Sequence, residues 1–507
     1  MPPIGPLERG LAVLRALAAA PGGRMAASGL AKETGLARSP VDRIAATLIR
    51  LGYVREEVRE LVLAPPLLCL GEAYLRSAGI AAALDPLAAR LADELDESVS
   101  VAVPDGDDAV RFVVQHTRRR ALSVSFRVGD VLPADRCAPG PLFAAAQREW
   151  AVDDQLIEPG LVAVAVPVRD PEGRTAYALS AVSHTSRHSA EDLREHALEP
   201  LRRTAAAMTA ALAAGGAEAA PEPVTDPTPD AKRELGPEYL QSLARGLAVL
   251  AALGQARGGM TLAAVARATG LSRATVRRSL LSLVELGYVA GDDGRFAPLP
   301  RVLDLGYPLL SALSLDEIAR PHLAELVRQV HESASMAVLD GPDIRYVSRV
   351  AASRIMSVTI TTGTRFPAYA TSMGRVLLAG LPAAERLPAG LELKPLTAYT
   401  ITDRAALGRV IDTVAGDGYA VVDQELEKGL RSVAAPVRGA DGSVVAAVNV
   451  ALHAGRTTEA EARDAVLPAL RETAARISAD VAAVRPASGT ASPAPPRSAA
   501  AARPPGR

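Results

Sequence analysis

Leu243, Leu247, Leu250 and Leu253 recur every three or four residues, which predicts an amphipathic helix stopped by Arg257-Gly258-Gly259. Thr261 can cap a second helix, in which Leu262, Val265 and Ala266 share a face. Gly270 then breaks the chain, Leu271 is buried behind the break, and Ser272 caps a third helix. The apolar side of that helix is Val276, Leu280, Leu283 and Leu286. Gly287-Tyr288-Val289 starts a strand, Asp292-Asp293-Gly294 is a tight turn, and Arg295-Phe296-Ala297 returns. Two helices, a glycine turn, a third helix and a hairpin, in that order, make the winged helix-turn-helix pattern.

Downstream the period changes. Helices are predicted over 303–315 and 316–330, then two-residue alternation predicts strands at 335–339, 344–350 and 355–361, with turns at Gly341-Pro342-Asp343 and Gly363. Helices follow at 370–381 and 404–415, strands at 419–423, 431–436 and 444–452, and a long closing helix at 459–484. This α+β order suits a sheet flanked by helices with a small-molecule pocket on one face.

The pattern occurs twice. Arg9–Leu14 (RGLAVL) recurs as Arg245–Leu250 at an offset of 236, and Leu51-Gly52-Tyr53-Val54 recurs as Leu286-Gly287-Tyr288-Val289 at 235. Ser123-Val124 matches Ser357-Val358 at 234, and Pro167-Val168-Arg169 matches Pro436-Val437-Arg438 at 269. The jump between those offsets means that the first copy lacks about 35 residues of the second. The expected layout is a winged module at 5–70, a truncated sensing domain at 71–212, and a Pro-, Gly- and acid-rich flexible linker at 213–238. The second winged module then spans 239–301, the second sensing domain 302–484, and a disordered tail 485–507.

Charge decides where a partner can touch. The 507-residue chain has a formal net charge of −1, so contact with a nucleic acid needs a local basic face. Aromatic residues are 3%, which disfavours base-stacking platforms for single strands. The third helix of the second copy supplies a basic face: Ser272, Arg273, Thr275, Arg277 and Arg278 stand opposite its apolar side near the N-terminus, the end that enters the major groove of duplex DNA. Arginine can chelate guanine, and hydroxyls can reach bases or phosphates. Arg295 on the hairpin is placed for phosphate.

The first copy offers Arg38, Ser39 and Arg43, but Asp42 stands where the second has Arg277, and its wing turn is acidic. The first module is therefore expected to bind DNA less well, or to serve mainly as a pairing surface. An alternative reading of the whole chain is a ligand-responsive protein-interaction factor that no longer touches DNA.

Gly363-Thr364-Arg365-Phe366-Pro367-Ala368-Tyr369-Ala370-Thr371-Ser372-Met373-Gly374-Arg375 and Gly418-Tyr419-Ala420-Val421 resemble signature stretches of the IclR family of bacterial regulators. The resemblance spans residues 240–484 well and 7–212 loosely. Val422–Glu427, Gly429–Ser432, Thr400–Asp403 and Asn449–Arg456 are most similar to regulators of protocatechuate, 4-hydroxybenzoate and β-ketoadipate catabolism. The resemblance implies two winged helix-turn-helix domains, each followed by a GAF-like α/β effector domain. It also implies a small aromatic or dicarboxylic acid as effector, held by Met356, Ser372, Met373, Gly374, Asp423, Glu425, Leu430, Ser432 and Asn449. Family members usually pair their modules, which implies self-association here, within one chain as a pseudo-dimer or between two chains.

In the first copy Cys137-Ala138-Pro139-Gly140-Pro141 replaces the pocket helix, and two prolines obstruct a regular helix there. Its sensing domain is expected to have lost effector binding. No catalytic residue, metal site or cofactor is expected. Cys69 and Cys137 form no CxxC pair, and the His184/His188 spacing lacks the glutamate of a zinc-protease helix, so solvated histidines are favoured. No stretch reads as a signal peptide or membrane span, so a cytoplasmic location is expected.

Overall fold

The computed structural model describes residues 5–118, 120, 126–144, 148–170, 172–214, 233–352, 360–456 and 458–485. The first winged module contains α1 (Pro6–Ala19), β1 (Arg24–Ala26), α2 (Ala27–Thr34), α3 (Arg38–Arg50), β2 (Val54–Glu57) and β3 (Glu60–Leu63). α4 (Leu68–Ser77) and α5 (Asp85–Leu95) lead into its sensing domain. There β4 (Ser98–Pro104), β5 (Ala109–His116), β6 (Val131–Pro133), β7 (Ala151–Asp154), β8 (Leu161–Arg169) and β9 (Thr175–His184) precede the long α6 (Ala190–Ala213).

The second copy repeats the order. Its winged module contains α7 (Gln241–Ala252), β10 (Met260–Thr261), α8 (Leu262–Thr269), α9 (Arg273–Glu285), β11 (Val289–Asp292) and β12 (Arg295–Pro298). The one-turn α10 (Tyr307–Leu310) and α11 (Leu315–Val330) join it to β13 (Ser333–Asp340), β14 (Asp343–Val350) and β15 (Arg365–Pro367). Then come α12 (Ser372–Ala379), α13 (Arg404–Asp417), β16 (Ala420–Asp423), β17 (Leu430–Arg438), β18 (Val444–His453) and α14 (Glu459–Val484).

Each sensing domain is one antiparallel six-stranded sheet, ordered β6-β5-β4-β9-β8-β7 and β15-β14-β13-β18-β17-β16. In the second, alternation sends Met336, Val433, Val448 and Val450 to one face, under Ile318, Leu323, Leu470 and Ile477 of α11 and α14. Ala337, Tyr346, Ala434 and Ala447 face the other way, against Met373, Val376, Leu407 and Ile411 of α12 and α13. Among the described residues the first domain has no counterpart of α13 between its 3-10 turn at Gly140–Leu142 and β7, in keeping with the shorter copy.

Two expectations change. The helix expected over 303–315 is broken into a 3-10 segment, Pro300–Leu305, and α10, because Gly306 turns left-handed at φ +104°. The strand expected at 355–361 falls mostly outside the described residues, and the edge of that sheet is β15 instead. No single helix among the described residues is long and apolar enough to cross a membrane.

The two winged modules share one apolar core, to which α1, α3, α7 and α9 all contribute. The contact repeats with two-fold symmetry: a side chain at Gly10 would collide with Leu243, and one at Gly246 would collide with Leu7. Bare backbone at both glycines thus lets α1 and α7 approach closely. Gly246→Val is expected to cost about 1–3 kcal/mol by overpacking this contact. The denaturation midpoint of the winged modules checks it, and an unshifted midpoint would show that the two helices do not touch.

Candidate functional site

The N-terminus of α9 is built by side-chain capping. Ser272 accepts a hydrogen bond from the Thr275 N–H at 3.3 Å, and the two hydroxyls lie 3.0 Å apart. Gly270 ends α8 at φ +65°, the left-handed turn that lets α9 leave at an angle. Val276, Leu280 and Leu283 are buried, which turns Arg273, Arg277 and Arg278 outward. None of these three guanidinium groups makes a hydrogen bond or ion pair with any described residue, so all three are exposed and available. β11 and β12 close the wing through Asp293 and Gly294, at φ +45° and +73°. Arg295 is exposed on that wing, yet its Nη2 donates to the Gly259 carbonyl at 2.7 Å, which draws it back toward the module.

α3 has the same 13-residue length but a different surface. Ala37 replaces the serine cap. Arg38 Nε lies 2.8 Å from Asp42 Oδ1, and Arg43 Nη2 donates to the Pro237 carbonyl at 2.6 Å. Ser39 is exposed. The wing turn has the left-handed form without glycine, with Val58 and Arg59 at φ +48° and +69°.

A cavity opens on the α12 face of the second sheet. It is lined by Ser335, Tyr346 and Arg349 from β13 and β14, by Ser372 and Met373 from α12, and by Leu430, Ser432 and Asn449 from β17 and β18. Ile360, Ala370, Thr371, Val422, Leu426 and Ala451 complete the wall. The Ser372 and Ser432 hydroxyls are 2.8 Å apart, and the buried Asn449 Oδ1 meets no donor among the described residues. Burial holds the Arg349 guanidinium below its ordinary pKa, against the pull of Tyr346, but the group stays a cation at neutral pH. Because Ser372 and Met373 open α12, the positive end of that helix abuts the cavity.

Of the residues singled out in the sequence, Ser372, Met373, Leu430, Ser432 and Asn449 thus lie together, and Met356 lies outside the described residues. Three others do not line the cavity. The Gly374 N–H is taken by the Thr371 hydroxyl at 3.0 Å, and its missing side chain makes room for the Ala368 carbonyl. Asp423 receives both arms of Arg431 at 3.0 Å across the β16–β17 pair. Glu425 is buried against Arg375 at 2.6 Å.

Ser335, Tyr346 and Arg349 escaped the sequence reading, the last two because Val347 is a β-bulge. Met336 pairs with Ser348 and Ala337 with Tyr346, so the alternation slips by one. Tyr346 and Arg349, which strict alternation puts on opposite faces, both reach the cavity. Of the two arginines on β14, Arg345 is exposed and pairs with Asp340, whereas Arg349 faces the cavity.

The first copy is an internal control. By repeat register Gln115 stands for Arg349, Ala138 for Ser372, Ala163 for Ser432 and Ser180 for Asn449. Phe112 replaces Tyr346 and stacks on Phe126 at 5.1 Å, within a small apolar cluster that includes Cys137 and Phe143. Aromatic rings fill what is a polar-lined cavity in the second copy.

Sequence comparison accounts for this duplicated layout. The IclR helix-turn-helix domain matches residues 6–57 and 242–293, and the bacterial transcriptional regulator IclR C-terminal domain matches 142–210 and 308–479. The chain belongs to the IclR family of bacterial transcriptional regulators. This IclR-family chain is 41% identical over 276 residues to the Pca regulon regulatory protein of Pseudomonas putida, across 54% of its own length and 91% of the relative's. It is 35% identical over 244 residues to the p-hydroxybenzoate hydroxylase transcriptional activator of Acinetobacter baylyi, across 47% and 90% of the two chains. A crystal structure of a transcriptional regulator from Rhodococcus sp. RHA1 is 55% identical, covering 48% of this chain and 99% of that one, with a TM-score of 0.45.

Proposed function

We propose that the chain regulates transcription by seating α9 in the major groove of operator DNA, under control of a small aromatic acid held in the second sensing domain. The observation that carries the effector reading is the contrast between the two copies. A cavity with one cation, a serine pair and an unsatisfied amide oxygen remains in the second; in the first the cation is replaced by Gln115, both serines of the pair by Ala138 and Ala163, and the asparagine by Ser180. A carboxylate would pair with Arg349, assisted by the N-terminus of α12, and a ring would lie against Met373, Val422, Leu426 and Leu430. The names of the two curated relatives, which concern the pca regulon and p-hydroxybenzoate hydroxylase, favour an acid of that catabolic chemistry.

DNA binding is supported by three free guanidinium groups on the first two turns of a capped helix, beside a formed wing. Arg273, Arg277 and Arg278 would reach base edges and phosphates, with Ser272 and Thr275 flanking them.

Calorimetric titration with protocatechuate, 4-hydroxybenzoate and β-ketoadipate tests the effector reading. At least one is expected to bind, and Arg349→Gln, the residue found in the first copy, is expected to weaken it by about tenfold to a hundredfold through loss of a charge-assisted bond. Absence of binding by all three would overturn the proposed ligand class, and an unaffected variant would remove Arg349 from the site.

A further inference from the structure

We infer that the operator is asymmetric: α9 reads the bases of one half-site, and the first module holds the adjoining half-site with little base discrimination. The inference rests on α9 being the DNA-reading helix and deepens that reading by naming the form of the DNA partner.

At the repeat offset of 235, Arg38 corresponds to Arg273, Asp42 to Arg277 and Arg43 to Arg278, on helices of equal length. In α9 all three positions are cations without partners among the described residues. In α3 the middle one is a carboxylate, and it holds Arg38 at 2.8 Å. A guanidinium so held spends its Nε–H on a neighbour and has part of its charge offset there, and Asp42 itself repels the phosphate backbone. Arg43 is engaged from the other side, by the Pro237 carbonyl at 2.6 Å and the Glu238 carboxylate at 3.8 Å. One turn pair on, Arg50 donates to Glu234 at 2.6 and 3.2 Å.

These partners belong to the segment that enters the second copy, which is anchored along α3. Tyr239 is buried, and the Leu240 N–H donates to Thr47 Oγ1 at 3.0 Å. The segment thus carries its own acids to the flank of α3, where α9 has no such neighbour among the described residues. The wing of the first module adds Glu56, Glu57 and Glu60, of which Glu57 and Glu60 hold Arg24 at 2.7 and 3.4 Å.

Two identical modules would call for a palindrome, because operator symmetry mirrors protein symmetry. Here the symmetric contact is closed inside one chain, with Leu7 over Gly246 and Leu243 over Gly10. A second chain finds that face already covered. The two helices presented to DNA are therefore chemically unequal at a fixed spacing.

Selection of bound duplexes from a randomised pool by the full chain tests this. The expected motif is one block of constrained base pairs, then, at constant spacing, a stretch of duplex that is needed for tight binding but has almost no base preference. Single substitutions in the first block are expected to weaken binding by about tenfold or more, and those in the second by less than about threefold. Asp42→Arg, a change at an exposed position, is expected to create base preference in the second block. Two equally constrained blocks would overturn the inference, as would undiminished affinity for a duplex trimmed to the first block. An Asp42→Arg protein with an unchanged motif would also overturn it. If Arg273→Ala and Arg277→Ala together leave the first block intact, α9 is not the reading helix. That result strikes the underlying function and is separable from the others.

Discussion

Converting Arg273, Arg277 and Arg278 together to alanine is expected to lower operator affinity by about two to four orders of magnitude with no change in the melting temperature. A well-placed arginine pair to a base or phosphate contributes about 1–3 kcal/mol, and three neighbours on one helix are not fully additive, so roughly 3–6 kcal/mol is the reasonable sum. The fold should not notice, because all three side chains are exposed and make no bond to any described residue. Titrating the change across salt concentration separates the roles within the trio. Each guanidinium that neutralises a phosphate contributes about 0.9 to the slope of log affinity against log salt, whereas a base contact leaves the slope nearly unchanged.

The matched change of Arg38 and Arg43 to alanine is expected to cost no more than about fivefold, since Asp42 offsets the charge of Arg38 and repels phosphate, and the Pro237 carbonyl takes Nη2 of Arg43. Fluorescence anisotropy with a labelled promoter duplex measures both variants side by side. Equal losses from the two modules would refute the division of labour between them, and no loss from the α9 variant would refute the DNA reading itself.

The parts of this architecture that follow local rules could be read from the residues in order. Ser272 caps because a hydroxyl there satisfies a free amide, Gly270 and Gly294 turn because only glycine enters the left-handed region cheaply, and α14 runs from Glu459 to Val484 as its periodicity requires. What escaped depends on which surfaces meet. Gly10 and Gly246 look like ordinary helix interruptions until Leu243 and Leu7 are seen above them. The helix expected through 303–315 fails at Gly306, whose left-handed backbone lies beneath Leu63 of the other copy. At the cavity, family position brought out α12, β17 and β18, but the Val347 bulge hid β14. The same family position also points to Asp423 and Glu425, yet each has an arginine of its own.

Glu425 therefore yields the largest expected loss of stability. Its carboxylate accepts from Arg375 Nη2 at 2.6 Å and from the Ile401 N–H at 3.0 Å, while Arg375 Nε donates to the Tyr369 carbonyl at 3.0 Å. The side chains are 9% and 3% exposed, so the pair joins α12 to the loop before α13 and to the β16–β17 turn in a place water scarcely reaches. Glu425→Ala strands a buried cation and is expected to cost about 3–5 kcal/mol in this domain. At about 2–4 °C per kcal/mol for a domain of this size, its melting transition should fall by roughly 6–20 °C. Removing both charges is a different matter: Arg375→Met with Glu425→Leu leaves no stranded ion and is expected to recover most of the loss. The first copy has already taken that route, with Pro141 and Leu156 in the two positions. Differential scanning calorimetry of the single and double variants reads the coupling directly. A Glu425→Ala protein that melts like the parent but no longer binds the aromatic acid would return the carboxylate to the ligand.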